Sequence, residues 1–114
     1  MTIQVSLEIH QKSLGFPKYE QYELGSQIRR SSKSVAINIA EGFAKNGLPN
    51  SSLAEFKRFM LIALGSADEV RVQLDYCKDL GYIDIDEYYR YENAYVEIGK
   101  MLVSMLKKWQ KPEV

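Results

Sequence analysis

Residues 52–80 read SLAEFKRFMLIALGSADEVRVQLDYCKDL. Apolar side chains recur in this stretch at alternating intervals of three and four residues, which is the spacing of one buried helix face. The positions on that face are Leu53, Phe56, Met60, Ala63, Ala67, Val70, Leu74 and Cys77. A seam sustained over so many turns is typical of helices that pack nearly parallel, at crossing angles of roughly 20°. The stretch therefore predicts one long helix of a helical bundle.

The segments on either side predict further helices of the same bundle. Residues 85–110 repeat the three-four spacing at Tyr88, Tyr91, Tyr95, Ile98, Leu102, Met105 and Trp109. Helix ends are marked by Gly15 with Pro17, by Gly47 with Pro49, and by Gly81. Helix starts are marked by Ser52 with Glu55 and by Asp84 with Glu87, which have the spacing of capping boxes. Because the connections are short, we expect neighbours to be antiparallel. The predicted fold is all-α, an up-down antiparallel four-helix bundle in one domain over residues 1–114, with helices at about 2–14, 18–46, 52–80 and 85–110.

The first segment is ambiguous in its periodicity. Its apolar residues Ile3, Val5, Leu7 and Ile9 alternate by two, which is the period of a strand. An isolated strand would find no partner strand in this chain, however, and a lone pair of strands is marginal in water. We therefore favour a helix here.

The second helix has an apolar surface too wide for one neighbouring helix to cover, and it also carries a stripe of polar residues. Apolar residues surround it at Val35, Ala36, Ile37, Ile39, Ala40 and Phe43, which predicts cover on more than one side and hence a homo-oligomer. A polar stripe is predicted to join the second and third helices as a structural polar core. Its members are Ser34, Asn38, Glu41, Ser66 and Glu69. The stripe fits either a hydrogen-bonded network that fixes helix register or the lining of a ligand pocket, and we favour the network.

Composition points to binding rather than catalysis. The 114 residues contain 15 basic and 15 acidic side chains, and no apolar run approaches the roughly 20 residues of a membrane span. The single cysteine, Cys77, excludes an internal disulfide and fits a cytoplasmic protein. With one histidine, His10, the chain lacks the ligand sets of di-metal bundles and structural zinc sites. We expect no metal, no cofactor, no catalytic residue and no membrane partner.

Charge is nevertheless unevenly distributed along the predicted bundle. One end collects the cations Lys45, Lys57, Arg58, Lys107, Lys108 and Lys111 against three carboxylates. The opposite end is acidic, through residues such as Glu20, Glu23, Asp75, Asp84 and Glu87. A second cluster, Arg29, Arg30 and Lys33, lies within the second helix and could meet the same partner or the acidic residues of a neighbouring subunit. These nine cations are candidate nucleic-acid-binding residues, because basic surfaces attract phosphate backbones. A solvated face, or lysines that favour a helix C-terminus, would explain them equally well.

Several motifs resemble those of a known bacterial family. They are Phe16-Pro17-Lys18-Tyr19-Glu20, Gln27-Ile28-Arg29-Arg30, Asn38-Ile39-Ala40-Glu41-Gly42, Gly65-Ser66 and Leu80-Gly81-Tyr82. The chain is similar over nearly its whole length to the four-helix-bundle proteins encoded within intervening sequences of 23S ribosomal RNA genes. The resemblance implies a ring, typically of five copies. It also implies a relation in fold to accessory proteins of diversity-generating retroelements, which bind a reverse transcriptase and nucleic acid.

Two functional hypotheses follow. The first is a ring-forming protein that binds RNA or DNA through a basic rim, with no catalytic step. The second is a protein-binding scaffold, for example for a reverse transcriptase. Clustered tyrosines at the acidic end favour the second, since tyrosine is enriched at interfaces. They are Tyr19, Tyr22, Tyr82, Tyr88 and Tyr89.

Overall fold

The predicted all-α bundle of four helices is confirmed. The computed structural model of the protein describes residues 2–46 and 53–110. Within them α1 spans Thr2–Ser13, α2 spans Leu24–Asn46, α3 spans Leu53–Asp79 and α4 spans Ile85–Gln110. The molecule is elongated, 53 × 22 × 19 Å. Helix α2 packs on α1 and α3, and α4 packs on α3 and α1.

Contacts along the helices fix an antiparallel register. Ser34 of α2 meets Ser66 of α3, and Gly42 of α2 lies against Phe59 and Met60. A β-carbon at Gly42 would clash with the Met60 methyl group and would approach the Phe59 β-carbon to 3.1 Å. Helices α2 and α3 therefore come close because glycine occupies this position, which offsets its low helix propensity.

The second helix begins later than predicted. We expected a helix over 18–46, but Lys18–Glu20 form a short 3-10 helix and α2 starts at Leu24. The physical reason is a set of side-chain hydrogen bonds that favour a turn. The Gln21 amide donates to the carbonyls of Ser13 and Phe16, and the Arg29 guanidinium donates to the Gln21 carbonyl. These bonds satisfy carbonyls that a continuous helix would have paired differently.

Helix ends follow the predicted signals where the structure describes them. The amide of Glu87 donates to the Asp84 carboxylate over 2.8 Å and the amide of Asp84 donates to Glu87 over 2.9 Å, so this capping box is confirmed. Gly81 ends α3 with a φ of 79°, a left-handed conformation that glycine adopts without steric cost. The stops at Gly47 and Pro49 and the cap at Ser52 lie outside the described residues.

The core is built from the predicted seams. On α3 it takes Phe56, Met60, Ala63, Ala67, Val70, Leu74 and Cys77, while Leu53 is exposed. On α4 it takes Tyr88, Tyr91, Tyr95, Ile98, Leu102 and Leu106. Leu106, rather than the half-buried Met105, continues the α4 seam at its C-terminal end, and the side chain of Trp109 lies outside the description.

Helix α1 lies beside one half of the bundle only. Val5 and Ile9 are buried at a helical spacing of four while Ile3 and Leu7 are exposed, which confirms a helix and not a strand. Two ion pairs fasten it to the start of α4, Lys12 with Glu87 at 3.0 Å and Glu8 with Arg90 at 2.7 Å. At 1.5 Å per residue α1 is about 18 Å long, against about 40 Å for α3. The described part of the other half therefore consists of α2, α3 and α4.

Candidate nucleic-acid interface

Five of the predicted basic residues meet at one end of the bundle. Lys45 lies in the last turn of α2, Lys57 and Arg58 in the first turns of α3, and Lys107 and Lys108 near the end of α4. Gly42 of α2 lies beside Phe59 of α3, and Arg71 of α3 pairs with Glu92 of α4. These contacts set how α2 and α4 align with α3. Lys45 and Lys107 therefore lie level with Phe56. We call these five residues the basic end. Lys111 lies outside the described residues.

The charges of the basic end are not used inside the subunit. No ion pair or hydrogen bond joins the four lysines to another of the residues that the structure describes. Arg58 places its guanidinium carbon 4.7 Å from the Phe59 ring centroid, a cation–π contact with a ring and not a pairing with an acidic side chain. Two acidic residues, Glu41 and Glu55, share this end of the bundle, so it has an excess of positive charge.

The second basic cluster is separate from the basic end and splits into two roles. Lys33 lies twelve residues before Lys45, about 18 Å along α2. Arg30 and Lys33 are exposed, and neither has a polar partner in the described part of the chain. Arg29 is half-buried and donates to the Ser13 hydroxyl over 2.8 Å and to the Gln21 carbonyl over 2.7 Å. The structure thus gives Arg29 a role in holding the turn before α2, and it does not join the nine predicted cations into one patch.

The predicted polar core is smaller than expected. The hydroxyls of Ser34 and Ser66 are 2.8 Å apart across the α2–α3 contact, and the Asn38 amide donates to the Ser34 carbonyl and hydroxyl. Glu41 and Glu69, predicted as members, are exposed in the subunit. The stripe runs along the margin of the contact, so the short side chains span it while the longer glutamates extend into solvent. What remains is a local network that fixes helix register.

The acidic end is tied together by tyrosine hydroxyls. Tyr82 donates to the Glu20 carboxylate over 2.8 Å and lies 3.4 Å from the Tyr19 hydroxyl. Tyr88 donates to Asp75 over 2.6 Å, and this bond together with burial raises the pKa of Tyr88 to about 12. The Glu20 and Asp75 carboxylates, which would otherwise only add to the repulsion between acidic groups at this end, are therefore stabilised by hydrogen bonds from tyrosine hydroxyls. Tyr19 and Tyr22 remain 74% and 88% exposed.

Comparison with known proteins establishes the family and the fold of the chain. Residues 1–104 match the family described as 23S rRNA-intervening sequence protein. The chain belongs to that family. A comparison with curated proteins finds no match.

A solved structure shows the same architecture in a relative. It is a protein of unknown function from the S23 ribosomal protein family of Bacteroides thetaiotaomicron VPI-5482. The two chains are 28% identical, and the match covers 94% of this chain and 99% of the relative, with a TM-score of 0.72. This family protein therefore shares its helix arrangement with a relative over almost the whole length of both chains.

The described residues contain no constellation that suggests chemistry. Cys77 is buried, and burial followed by the nearby Glu20 charge raises its thiol pKa to about 12, so the reactive thiolate is scarce at neutral pH. Over residues 2–46 and 53–110, His, Cys, Asp and Glu side chains nowhere gather in threes as metal ligands would. None of the described helices combines the length and apolar character needed to span a bilayer.

One surface was missed at the level of sequence. Glu23, directly before α2, and Asp68 and Glu69 of α3 line a groove between α2 and α3, together with Val72 and Tyr76. The residues are about 45 positions apart in sequence, so only the antiparallel register brings them together. The sequence shows the three acidic residues, but it does not show that they line the same groove.

Proposed function

We propose that this chain forms a non-enzymatic, ring-shaped homo-oligomer, a pentamer on the family resemblance, and binds RNA or DNA through its basic end. The observation that carries the proposal is the basic end itself, whose lysines have no internal partner among the described residues. A ring that points this end of every subunit the same way would present a continuous basic rim to a phosphate backbone. The single buried thiol fits a cytoplasmic location.

The architecture favours phosphate contacts over base readout. Lysines on separate helix ends present flexible point charges, which bind phosphate without fixing a base-specific geometry. We therefore expect affinity to depend steeply on salt and weakly on sequence. Replacing two phosphate-contacting lysines per subunit lowers the salt slope by about two for each subunit in contact.

The experiment is a charge reversal with a matched control. The variant Lys57→Glu/Lys107→Glu changes the basic end, and Lys18→Glu/Lys100→Glu changes total charge equally at exposed sites elsewhere. Affinity for a fluorescent single-stranded RNA, measured by anisotropy, should fall roughly 10-fold or more for the first variant and less than about 3-fold for the second. Native mass should not change for either. Equal losses in both variants, or no loss in the first, would reject the basic end as the binding surface.

A protein-binding scaffold is the second candidate. Tyr19 and Tyr22 are the observation that favours it, because these two largely exposed tyrosines lie within and just after the 3-10 helix at the acidic end. Exposed tyrosines are common anchors of protein interfaces. A reverse transcriptase is the partner to test. Its retention by the wild-type protein, and its loss on Tyr19→Ser/Tyr22→Ser, would favour the scaffold.

A further inference from the structure

The acidic end of the subunit carries exposed tyrosines beside carboxylates. The groove between α2 and α3, which we call the acidic groove, has a volume of about 640 Å³ and extends to this end. The residues that line its last part, with the two tyrosines that adjoin them in the chain, are Tyr19, Glu20, Tyr22, Glu23, Tyr76 and Leu80. We call these six residues the tyrosine surface.

The aromatic and apolar members of the tyrosine surface are open to solvent. Tyr22 and Tyr19 are largely exposed, and Tyr76 and Leu80 are 59% and 52% exposed. Single apolar residues are common on protein surfaces, but several that adjoin one another mark a site of contact with another molecule. Tyrosine is also enriched at such contacts, because its ring covers a large area and its hydroxyl tolerates water.

Negative charge exceeds positive charge along the acidic groove. Its carboxylates are those of Glu20, Glu23, Asp68 and Glu69. None of the four forms an ion pair with another described residue, and none of the described residues that line the groove is a lysine or an arginine. Lys18, next to Tyr19 in the chain, is a single exposed cation against them. A cationic partner is therefore the electrostatic complement of this groove.

Hydrogen bonds hold the backbone that bears Tyr19 and Tyr22 in place. The side-chain amide of Gln21, which lies between them, donates to the Ser13 carbonyl over 3.0 Å. The Arg29 guanidinium donates to the Gln21 carbonyl over 2.7 Å. Because this segment is already ordered, a partner that binds it pays little conformational entropy to fix the two tyrosines.

Two contacts within the subunit show how this end of the bundle binds a cation. The guanidinium carbon of Arg90 lies 5.1 Å from the Tyr91 ring centroid, while the Arg90 Nη1 atom pairs with Glu8 at 2.7 Å. The Lys78 ammonium lies 4.4 Å from the Tyr88 ring centroid. Arginine suits a ring beside a carboxylate best, because its planar guanidinium stacks on the ring and can pair bidentately with the carboxylate. The tyrosine surface offers the same two groups to a partner.

We propose that the tyrosine surface docks an arginine-rich segment of a partner protein. Guanidinium groups lie on the rings of Tyr19 and Tyr22 and pair with Glu23, while the apolar stems of the segment cover Tyr76 and Leu80. This docking goes beyond nucleic-acid binding because it uses the opposite end of the bundle. It rests on the protein-binding scaffold given above as the second candidate, and it names the chemistry of that partner. With both ends occupied, the protein links a nucleic acid to a basic protein.

The test is the binding of a fluorescein-labelled octa-arginine peptide to the full-length protein, measured by anisotropy at low salt. The protein is first cleared of nucleic acid, because a bound strand would itself attract arginine. Wild-type protein should bind octa-arginine at least about 3-fold more tightly than octa-lysine, because an ammonium group neither stacks nor pairs bidentately. Equal affinity for the two peptides would contradict recognition by the rings.

Variants at Tyr19 and Tyr22 separate a ring contact from general attraction. Tyr19→Phe/Tyr22→Phe keeps both rings and should keep octa-arginine affinity within about 2-fold. Tyr19→Leu/Tyr22→Leu keeps apolar area but removes the rings, and affinity should fall roughly 5- to 30-fold. Native mass and affinity for RNA should not change in either variant, because the basic end is intact.

Charge reversal at Glu23 tests the carboxylate. Glu23→Lys should lower octa-arginine affinity roughly 5-fold or more, whereas Glu97→Lys, at an exposed site on α4, should lower it less than about 3-fold. Affinity for RNA should not fall in either variant. Equal losses at the two positions would reject Glu23 as a docking residue.

The outcomes separate this docking site from the functions proposed above. Wild-type protein that does not bind octa-arginine, or affinity that survives Tyr19→Leu/Tyr22→Leu, overturns the docking site and leaves RNA binding at the basic end untouched. A fall in native mass in the tyrosine variants would show that the surface contacts another copy of the chain, which also overturns it. If a reverse transcriptase is released by Tyr19→Ser/Tyr22→Ser while octa-arginine does not bind, the scaffold stands and the arginine chemistry is wrong.

Discussion

The acidic and basic halves of the bundle are stabilised by different interactions. In the acidic half polar side chains fasten one element to another: Lys12 to Glu87, Tyr82 to Glu20, and Arg29 to Ser13 and Gln21. In the basic half close apolar contacts join the helices, with Gly42 against Met60 and the Phe43 and Phe56 rings edge-to-face at 5.3 Å.

The difference shows where charge is available for a partner. A cation that already donates to an internal acceptor must give up that bond before it binds a phosphate, and the exchange gains little. The lysines of the basic end make no such internal bond within the described residues. The half that relies on apolar packing is therefore the half with free positive charge.

Truncation of the apolar core in the basic half should have the largest effect. Phe56 is fully buried, so Phe56→Ala should lower the free energy of unfolding by about 3–5 kcal/mol. Leu61→Ala, on the exposed side of the same helix, should change it by less than about 0.5 kcal/mol. Urea denaturation measures both. A cost below about 1 kcal/mol for Phe56→Ala would mean that packing does not hold this half together.

Loss of a polar tie in the acidic half should come next. Arg29→Ala removes two charge-assisted hydrogen bonds that fix the turn before α2, and we expect a loss of about 2–3 kcal/mol. Its neighbour provides the control, since Arg30→Ala removes an exposed guanidinium and should cost less than about 0.5 kcal/mol. Urea denaturation in high salt, which screens contacts between subunits, compares them. Similar losses of unfolding free energy for Arg29→Ala and Arg30→Ala would contradict the claim that Arg29 stabilises the subunit and Arg30 does not.

Alkaline pH should weaken the acidic half through its tyrosines, with a smaller effect. The pKa of Tyr88 is raised to about 12 by its bond to Asp75 and by burial, so the folded state holds this proton more tightly than the unfolded state. That contribution to stability is complete below pH 10 and is lost as pH rises toward 12. In Tyr88→Phe the fall in unfolding free energy between pH 10 and 12 should be shallower than in wild type. Identical slopes would show that the Tyr88 hydroxyl does not couple to folding.

Sequence periodicity predicted the parts of the fold that depend on local spacing. The seams of α3 and α4 followed from apolar residues repeated every three or four positions, and the Asp84–Glu87 cap followed from residue types at a fixed offset. The basic end followed from antiparallel topology, which brings Lys45, Lys57 and Lys107 together once the helices are placed in order.

Features that depend on distant side chains were not predictable in this way. The late start of α2 requires Arg29 and Gln21 to reach carbonyls several residues away. The exposure of Glu41 and Glu69 depends on how far the α2–α3 contact extends around each helix, which a three-four spacing does not specify. The acidic groove likewise depends on the register between helices and not on any local motif.

The most direct test of a nucleic-acid-binding oligomer is a purification at low salt without nuclease. Native mass and the ratio of absorbance at 260 and 280 nm are measured together, before and after transfer to high salt. We predict a multi-subunit particle that carries nucleic acid at low salt, and that releases it at high salt because phosphate binding displaces counterions. A protein that never carries nucleic acid, whatever its mass, would contradict the role assigned to the basic end.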